Sequence, residues 1–360
     1  MTSTGIRDFL QTYSAAPVGP TPVQPNILPD GEKPEEETID RNVELKEAEW
    51  KPITVSEQPA KTDEIPRRFV DGSHSGQPVL CIRSPQGWPI AMVLSEVGAV
   101  AMRSECRRFE REFVAVERVL SFVADPFPWQ EVENFALDLL NRSELNLRLL
   151  PANRPKDAHS PFDYEVMRLQ ARTRAINEMA TLERLALSVG EPTPTLVDGP
   201  LHRIMGVPEA AAPLIVGVAK TQSADYLHEQ GWRTLLNLRV SQRTPIFRYE
   251  GVRGESGGFP VASWYLKLAG GPQLAPNWGY VRVEVPWNQF EQRGCDFGIV
   301  NRLSRWIVDA RCRAASYTRM PVSLEPIVRA EDALKPLFTP MSVLVNRLYR
   351  QAGLFRRNEP

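Results

Sequence analysis

Phe69-Val70-Asp71-Gly72-Ser73 and Leu196-Val197-Asp198-Gly199-Pro200 are two segments with one pattern: an apolar run ends in an aspartate, and a glycine follows. Short apolar runs bounded by Gly or Pro are typical of buried strands. A carboxylate at the end of a buried strand is well placed to bind a metal ion, and two of them predict one shared site. The other interpretation is structural, because Asp-Gly is favoured in turns for backbone reasons alone.

Composition places the 360-residue chain among globular proteins, with 42% hydrophobic residues and no apolar run of about 18 residues that would predict a membrane span. The first 20 residues lack the basic and apolar regions of a signal peptide. No CxxC pair occurs, which argues against a zinc site and a disulfide scaffold. A reduced, cytoplasmic protein is therefore expected. The four cysteines are scattered: Cys81, Cys106, Cys295 and Cys312.

Charge is distributed unevenly although the net charge is only -1. Residues 1–64 contain 13 acids and 6 bases, whereas residues 65–360 contain 31 acids and 37 bases. The first segment is rich in Pro, Glu, Lys and Thr, which predicts a flexible acidic arm, with a short amphipathic helix over 3–13. The basic remainder, 65–360, is predicted to be one folded domain, and its charge is a hint of contact with nucleic acid.

Hydrophobic periodicity predicts an α/β fold in which a mixed sheet has helices on its faces. An antiparallel triplet of strands comes first, with a turn at 72–76, and a strand-helix-strand unit follows. This is the outline of an RNase H-like fold. Strands are expected at 67–71, 78–83, 89–102, 195–198, 213–219, 245–249, 262–268 and 280–285. Helices are expected over 109–120, 132–140, 161–189, 297–313 and 326–351, with a short one from Ser223.

Metal-assisted cleavage of a phosphodiester is the chemistry most often built on such a pair of acids. A two-metal site needs a third carboxylate, and the long helix before the second aspartate offers several. Glu183 lies on the apolar stripe of that helix and should face the sheet. Glu178, which also has apolar helical neighbours, is the weaker alternative ligand.

Three further kinds of basic residue are candidates for contact with phosphate. Lys220 follows a predicted strand and could stabilise charge on a phosphate, or be an ordinary exposed lysine. His74, in the predicted turn, could contact substrate or simply be exposed. Arg347 and Arg350 belong to a basic C-terminal cluster that could bind DNA, or form a solvated helical face.

One ordered set of segments resembles the NurA family of nucleases over roughly residues 65–350. The set is Val70-Asp71-Gly72-Ser73, Leu182-Glu183, Leu196-Val197-Asp198-Gly199-Pro200-Leu201 and Gly217-Val218-Ala219-Lys220. The resemblance implies an RNase H-like core and a homodimer with manganese-dependent 5′-to-3′ exonuclease and single-strand endonuclease activity. It also implies a HerA-type hexameric ATPase as partner, in DNA end processing, repair or phage defence. Asp71, Glu183 and Asp198 match the family's metal acids, and Lys220 matches its lysine.

The chain departs from the family pattern near its end. The family has Pro-x-x-Leu-x-x-Ala-His, but here Pro321-Val-Ser-Leu324 is followed by Glu325-Pro-Ile-Val328, without histidine. Either Glu331 or Asp332 substitutes for it, or the site is incomplete and the nuclease is attenuated or depends on its partner. No GxxxxGK[ST] motif occurs, so any motor must come from a partner.

Three functions follow from the sequence. The first is a deoxyribonuclease that uses one or two Mn²⁺ or Mg²⁺ ions. The second is a catalytically attenuated or silent scaffold of this fold that docks on the ATPase and guides DNA. The third is an RNA-cleaving enzyme of the same fold.

Overall fold

One mixed sheet organises the molecule and contains all thirteen strands of the described residues. The computed structural model describes residues 4–18, 39–55, 58–105, 108–154, 163–220, 226–251, 258–270, 278–313 and 323–354. The strands are β1 (Ala16–Pro17), β2 (Ile39–Asp40), β3 (Ile53–Thr54), β4 (Arg68–Arg83), β5 (Pro89–Glu105), β6 (Arg108–Val123), β7 (Leu147–Ala152), β8 (Thr195–Asp198), β9 (Ile215–Ala219), β10 (Gln242–Arg243), β11 (Phe247–Gly251), β12 (Phe259–Lys267) and β13 (Tyr280–Pro286).

Helices cover both faces of the sheet. They are α1 (Thr4–Thr12), α2 (Trp129–Arg142), α3 (Tyr164–Ser188), α4 (Glu229–Leu236), α5 (Trp287–Gln292), α6 (Phe297–Asp309), α7 (Glu325–Leu334) and α8 (Met341–Ala352). Short 3₁₀ turns cover Glu47–Glu49, Leu201–Arg203 and Lys335–Leu337. Among the described helices, none combines the length and apolarity needed to cross a bilayer.

The centre of the sheet has the strand order β6-β5-β4-β8-β9. β4, β5 and β6 form an antiparallel meander, β8 is parallel to β4, and β9 is parallel to β8. This is the order and direction expected of an RNase H-like core. β13 then pairs antiparallel with β9 and extends the sheet through β12 and β11. The predicted mixed sheet with flanking helices is confirmed.

The meander is longer and more regular than the sequence pattern predicts. Residues 72–76 do not form a turn: they lie within β4 and pair with β5, from Gly72 opposite Ala99 to Gly76 opposite Ser95. The predicted helix over 109–120 is also wrong, because these residues belong to β6. A spacing of four residues fits strand alternation as well as a helical turn, and pairing with the 17-residue strand β5 decides between them.

Some helix and strand boundaries also differ from the prediction, above all near the C-terminal end. The single helix expected over 326–351 is two helices, because Pro336 lies in the 3₁₀ turn after α7 and Pro340 precedes α8. β7, parallel to β6, has no counterpart in the prediction. The helix expected from Ser223 begins outside the described residues, and the helix found in this region is α4.

The described parts of residues 1–64 are packed on the rest of the molecule, unlike the flexible arm expected there. The helix expected over 3–13 is α1, and its Phe9 ring stacks on Phe135 of α2 with centroids 4.2 Å apart. Further along, Glu44 accepts two hydrogen bonds of 2.7 Å from Arg243, which is fully buried. Burial of these groups offsets the entropy of ordering the segment. The prediction concerns residues 19–38 as well, which lie outside the described residues.

Different helices pack on the two faces of the central sheet, and this difference determines on which face Asp71 and Asp198 lie. Val70 and Val197 pack in the core cluster that includes residues of α3. Phe69 and Leu196 point the other way, into the cluster that includes α6 and Ile327 of α7. Because side chains alternate along a strand, Asp71 and Asp198 share the face of Phe69 and Leu196.

Candidate metal centre

Asp71 and Asp198 are brought together by the pairing of β4 with β8. Val70 lies opposite Val197 in this parallel pair, so the two aspartates occupy the next position on neighbouring strands. β8 ends at Asp198, whereas β4 continues to Arg83. The two carboxylates therefore lie at the carboxyl end of β8, on the face of the sheet that α7 covers.

Glu331 of α7 is the third acid of this cluster. One carboxylate oxygen from each of Asp71, Asp198 and Glu331 lies within 4.8 Å of the others, and no other such group of metal-binding side chains occurs in the described part of the chain. Ala330 and Leu334 anchor α7 on the sheet, and Glu331 also pairs with Lys335 at 2.9 Å. Asp332, the other acid that the sequence offered, is exposed.

Asp71 is the most deeply buried of the three acids, at 3% exposure. Its Oδ2 is buried and accepts no hydrogen bond from the described residues. Burial raises the pKa of Asp71 well above its usual range, and the charge of Asp198 raises it further. A buried carboxylate with an unsatisfied oxygen and two other acids nearby is a costly arrangement, and a bound cation would relieve it.

Lys220 lies inside the same site. It follows the end of β9, and its Nζ donates to Oδ2 of Asp198 at 2.8 Å. Its charge lowers the pKa of Asp71 and so counters part of the repulsion among the acids. The position at a strand end beside the acids is the one predicted for this lysine.

Glu183 lies beside the cluster but is not one of the three clustered carboxylates. It is fully buried on α3, and Nη2 of Arg203 donates to its two oxygens at 2.8 and 2.9 Å. Burial raises the pKa of Glu183 to about 7, although the Arg203 charge lowers it. The charge of Asp198 contributes to this rise, so Glu183 is within electrostatic range of the cluster.

Gly72 makes this approach of Glu183 to the sheet possible. A Cβ at position 72 would lie 2.6 Å from Oε1 of Glu183, which is closer than side chains approach one another. The glycine after the first aspartate therefore serves close packing of α3 on β4, and no turn is formed there.

Glu178, the alternative ligand from the sequence, is engaged elsewhere. Its carboxylate pairs with Arg148 of β7 at 2.5 Å and with Arg174, one turn away on α3, at 3.3 Å. Five residues further along a helix, a side chain points in a direction that differs by more than a third of a turn. Glu178 and Glu183 therefore point in different directions, and Glu178 lies on the β7 side of the sheet. The structure does not bring it to the cluster.

The remaining predicted contacts lie away from the three acids. His74 is in β4 on the opposite face from Asp71, with Nε2 3.2 Å from Oγ of Ser95. Burial, with a contribution from Arg172, lowers the pKa of His74 to about 4. Arg347 and Arg350 lie on α8, which packs near Val79, about 26 Å along β4 from Asp71.

A polar network that sequence reasoning missed holds the turn after Asp198. Gly199 has φ +116°, a conformation that favours glycine, and the next turn is fixed by the N–H of Leu201 donating to Glu284 at 2.8 Å. Glu284 also accepts from the Tyr249 hydroxyl at 2.6 Å and pairs with Arg282 at 2.8 Å. The available signal was the presence of two charged residues in the otherwise apolar strand β13.

The donor set fits a hard divalent cation such as Mg²⁺ or Mn²⁺. The three clustered ligands are all carboxylates, and Asp71 presents an oxygen without a hydrogen-bond donor among the described residues. Oxygen-only donors suit Mg²⁺ and Mn²⁺, whereas nitrogen and sulfur ligands favour zinc and copper.

Fold and site together define a mixed α/β protein with an acidic cluster and a lysine at the end of its central parallel strands. No protein-family model matches this chain, and no curated protein matches it in sequence. Among solved structures, it is similar to the NurA nuclease from Sulfolobus solfataricus, with 11% identity and a TM-score of 0.43. That match covers 85% of this chain and 89% of the other.

Proposed function

We propose that this protein is a Mg²⁺- or Mn²⁺-dependent phosphodiester hydrolase that acts on DNA. The observation that carries the proposal is the buried carboxylate of Asp71, which lies in one cluster with Asp198 and Glu331 and whose Oδ2 accepts no hydrogen bond from the described residues. Such an oxygen is expensive to bury unless it binds a cation. Its placement beside a lysine is suited to an anionic substrate.

Each residue of the site has a distinct part in this proposal. Asp71, Asp198 and Glu331 would hold the ion, which when bound lowers the pKa of a water and stabilises charge on the phosphate. Lys220 orients the Asp198 carboxylate through its 2.8 Å hydrogen bond. Its positive charge also attracts the phosphate and stabilises negative charge that develops on it.

DNA as substrate is supported by the basic balance of residues 65–360, with 37 bases and 31 acids, and by the resemblance of the sequence motifs to NurA nucleases. From that resemblance we further propose 5′-to-3′ exonuclease and single-strand endonuclease activity, a homodimer, and a HerA-type ATPase as partner. Glu183 would join the site as an additional acid, held in place by Arg203.

The deciding experiment measures degradation of linear DNA with Mn²⁺ or Mg²⁺, with and without the ATPase. The wild type should cleave, Asp71→Asn should lose cleavage by at least about a hundredfold, and the matched control Asp332→Asn should be as active as the wild type. Cleavage that survives Asp71→Asn would refute the assignment. An inert wild type under every condition would favour the scaffold function, and faster cleavage of RNA than of DNA would favour a ribonuclease.

A further inference from the structure

Arg203 contacts three oxygen atoms beside the cluster of Asp71, Asp198 and Glu331. Its Nη2 lies 2.8 and 2.9 Å from the two oxygens of Glu183 and 3.5 Å from the backbone oxygen of Asp198. One nitrogen thus contacts both oxygens of one carboxylate and approaches a main-chain carbonyl. These are the oxygen donors that a divalent ion would use.

The position of Arg203 is imposed by the chain around it. It ends the 3₁₀ turn Leu201–Arg203 directly after Asp198, and Glu284 anchors that turn through the N–H of Leu201. Gly199, with φ +116°, gives the chain the backbone conformation by which this turn begins. The contact between Arg203 and Glu183 is therefore a built feature of the turn that presents Asp198.

Charge balance agrees with a single ion in the free protein. Four carboxylates, those of Asp71, Asp198, Glu331 and Glu183, lie in or beside the cluster with three cations, Lys220, Arg203 and Lys335. When all seven groups are ionised, one negative charge remains, which one divalent ion more than neutralises. A second ion would have to displace Arg203 from Glu183 or bring a further anion with it.

We propose that the guanidinium of Arg203 fills a second cation subsite formed by Glu183 and so keeps a metal ion out of it. The free protein then binds a single divalent ion, at Asp71, Asp198 and Glu331. The inference rests on the proposed metal centre and assigns to Arg203 a positioning role within it. Loss of the guanidinium opens the Glu183 subsite to a second ion. Arg203 thereby determines metal stoichiometry without being a ligand.

Mn²⁺ binding to the full chain without DNA tests this, by titration calorimetry and by loss of the free Mn²⁺ EPR signal at pH 8. The wild type should bind one ion, and Arg203→Gln should bind two. Arg203→Lys, which keeps the charge, should bind one. Removal of the subsite carboxylate in the double variant Arg203→Gln, Glu183→Gln should return the number to one.

A matched control is the pair Arg118–Glu96, which has nearly the same burial, with side-chain exposures of 31% and 0% against 30% and 0% for Arg203 and Glu183. Arg118→Gln should still bind one ion. Two ions on the wild type, or one on a folded Arg203→Gln, would overturn the inference and leave the metal centre intact. A wild type that binds no ion would overturn the proposed function itself. If Arg203→Gln fails to fold, the wild-type stoichiometry decides.

Discussion

At the scale of single residues, Glu331 of α7 is the third carboxylate of the cluster with Asp71 and Asp198. The family pattern that the motifs resemble has a histidine in the segment where this chain has none, and α7 delivers a carboxylate to the cluster. A donor set made only of carboxylates is hard, which favours Mg²⁺ and Mn²⁺ over softer ions.

Glu331→Gln should weaken Mn²⁺ binding by more than the roughly tenfold that loss of an outer-shell partner causes, because one of three charged ligands is lost. Asp332→Asn, an exposed neighbour, should leave the affinity unchanged. Titration calorimetry measures both. Equal affinities for Glu331→Gln and the wild type would remove Glu331 from the site.

Glu183 should make the stability of the metal-free protein depend on pH. Burial raises its pKa from 4.5 to about 7, so the folded protein holds a proton that the unfolded chain releases between these values. The free energy of unfolding should therefore fall as pH rises from about 4.5 to about 7. Asp71, whose pKa is also raised, should add to this fall.

Glu183→Gln should reduce that fall by an amount on the order of 3 kcal/mol, because glutamine does not titrate. Urea unfolding between pH 4.5 and 7.5, with chelator present, measures it. Glu178→Gln on the same helix should be less stable because its ion pairs with Arg148 and Arg174 are lost. A Glu183→Gln curve parallel to that of the wild type would contradict the prediction.

At the scale of elements, close packing of α3 on β4 depends on Gly72. A methyl group there would meet the Glu183 carboxylate at 2.6 Å, so either the helix or the side chain must move. Gly72→Ala should destabilise the protein by about 1–3 kcal/mol, the usual effect of overpacking. Gly206→Ala is the control, because a Cβ at that position meets nothing within 4 Å. Denaturant midpoints compare the two, and equal midpoints would show that this contact can relax freely.

α1 is an integral part of the fold, although its sequence context is that of an arm. Phe9 is 6% exposed and packs among Tyr13, Phe122, Phe127 and Phe135. Phe9→Ala should lower the free energy of unfolding by about 3–5 kcal/mol. Gln11→Ala, on the exposed side of α1, should change it by less than about 0.5 kcal/mol. Thermal and urea unfolding would detect the difference, and a negligible effect of Phe9→Ala would support a loosely attached arm.

At the scale of the whole molecule, ion binding should stabilise the fold. The cluster joins β4, β8 and α7, so an ion that binds only the folded state links elements more than 250 residues apart in sequence. At a Mn²⁺ concentration a hundredfold above Kd, stability should rise by about 2.7 kcal/mol. Differential scanning calorimetry should show this increase for the wild type and none for Asp71→Asn. An equal rise in both proteins would point to binding elsewhere.

Much of the fold could be predicted because its signals are local. The apolar runs around Val70, Val197 and Val218 predict buried strands, and the period of α3 predicts a long helix with one face on the sheet. The local sequence pattern was insufficient where pairing with a neighbouring strand decided the secondary structure. The residues around Phe109 fit two periodicities, and residues 72–76 carry turn-forming residues that the long partner β5 holds in strand conformation.

The sequence by itself determined the two aspartates, the lysine that follows the next strand, and the α/β character of the chain, because each depends on short-range pattern. Only the tertiary structure decided which acids converge. Strand alternation places Asp71 and Asp198 under α7, so Glu331 completes the cluster, while Glu183 lies behind Gly72 and binds Arg203. Convergence depends on which face each side chain occupies and which helix covers that face, and both follow from long-range packing.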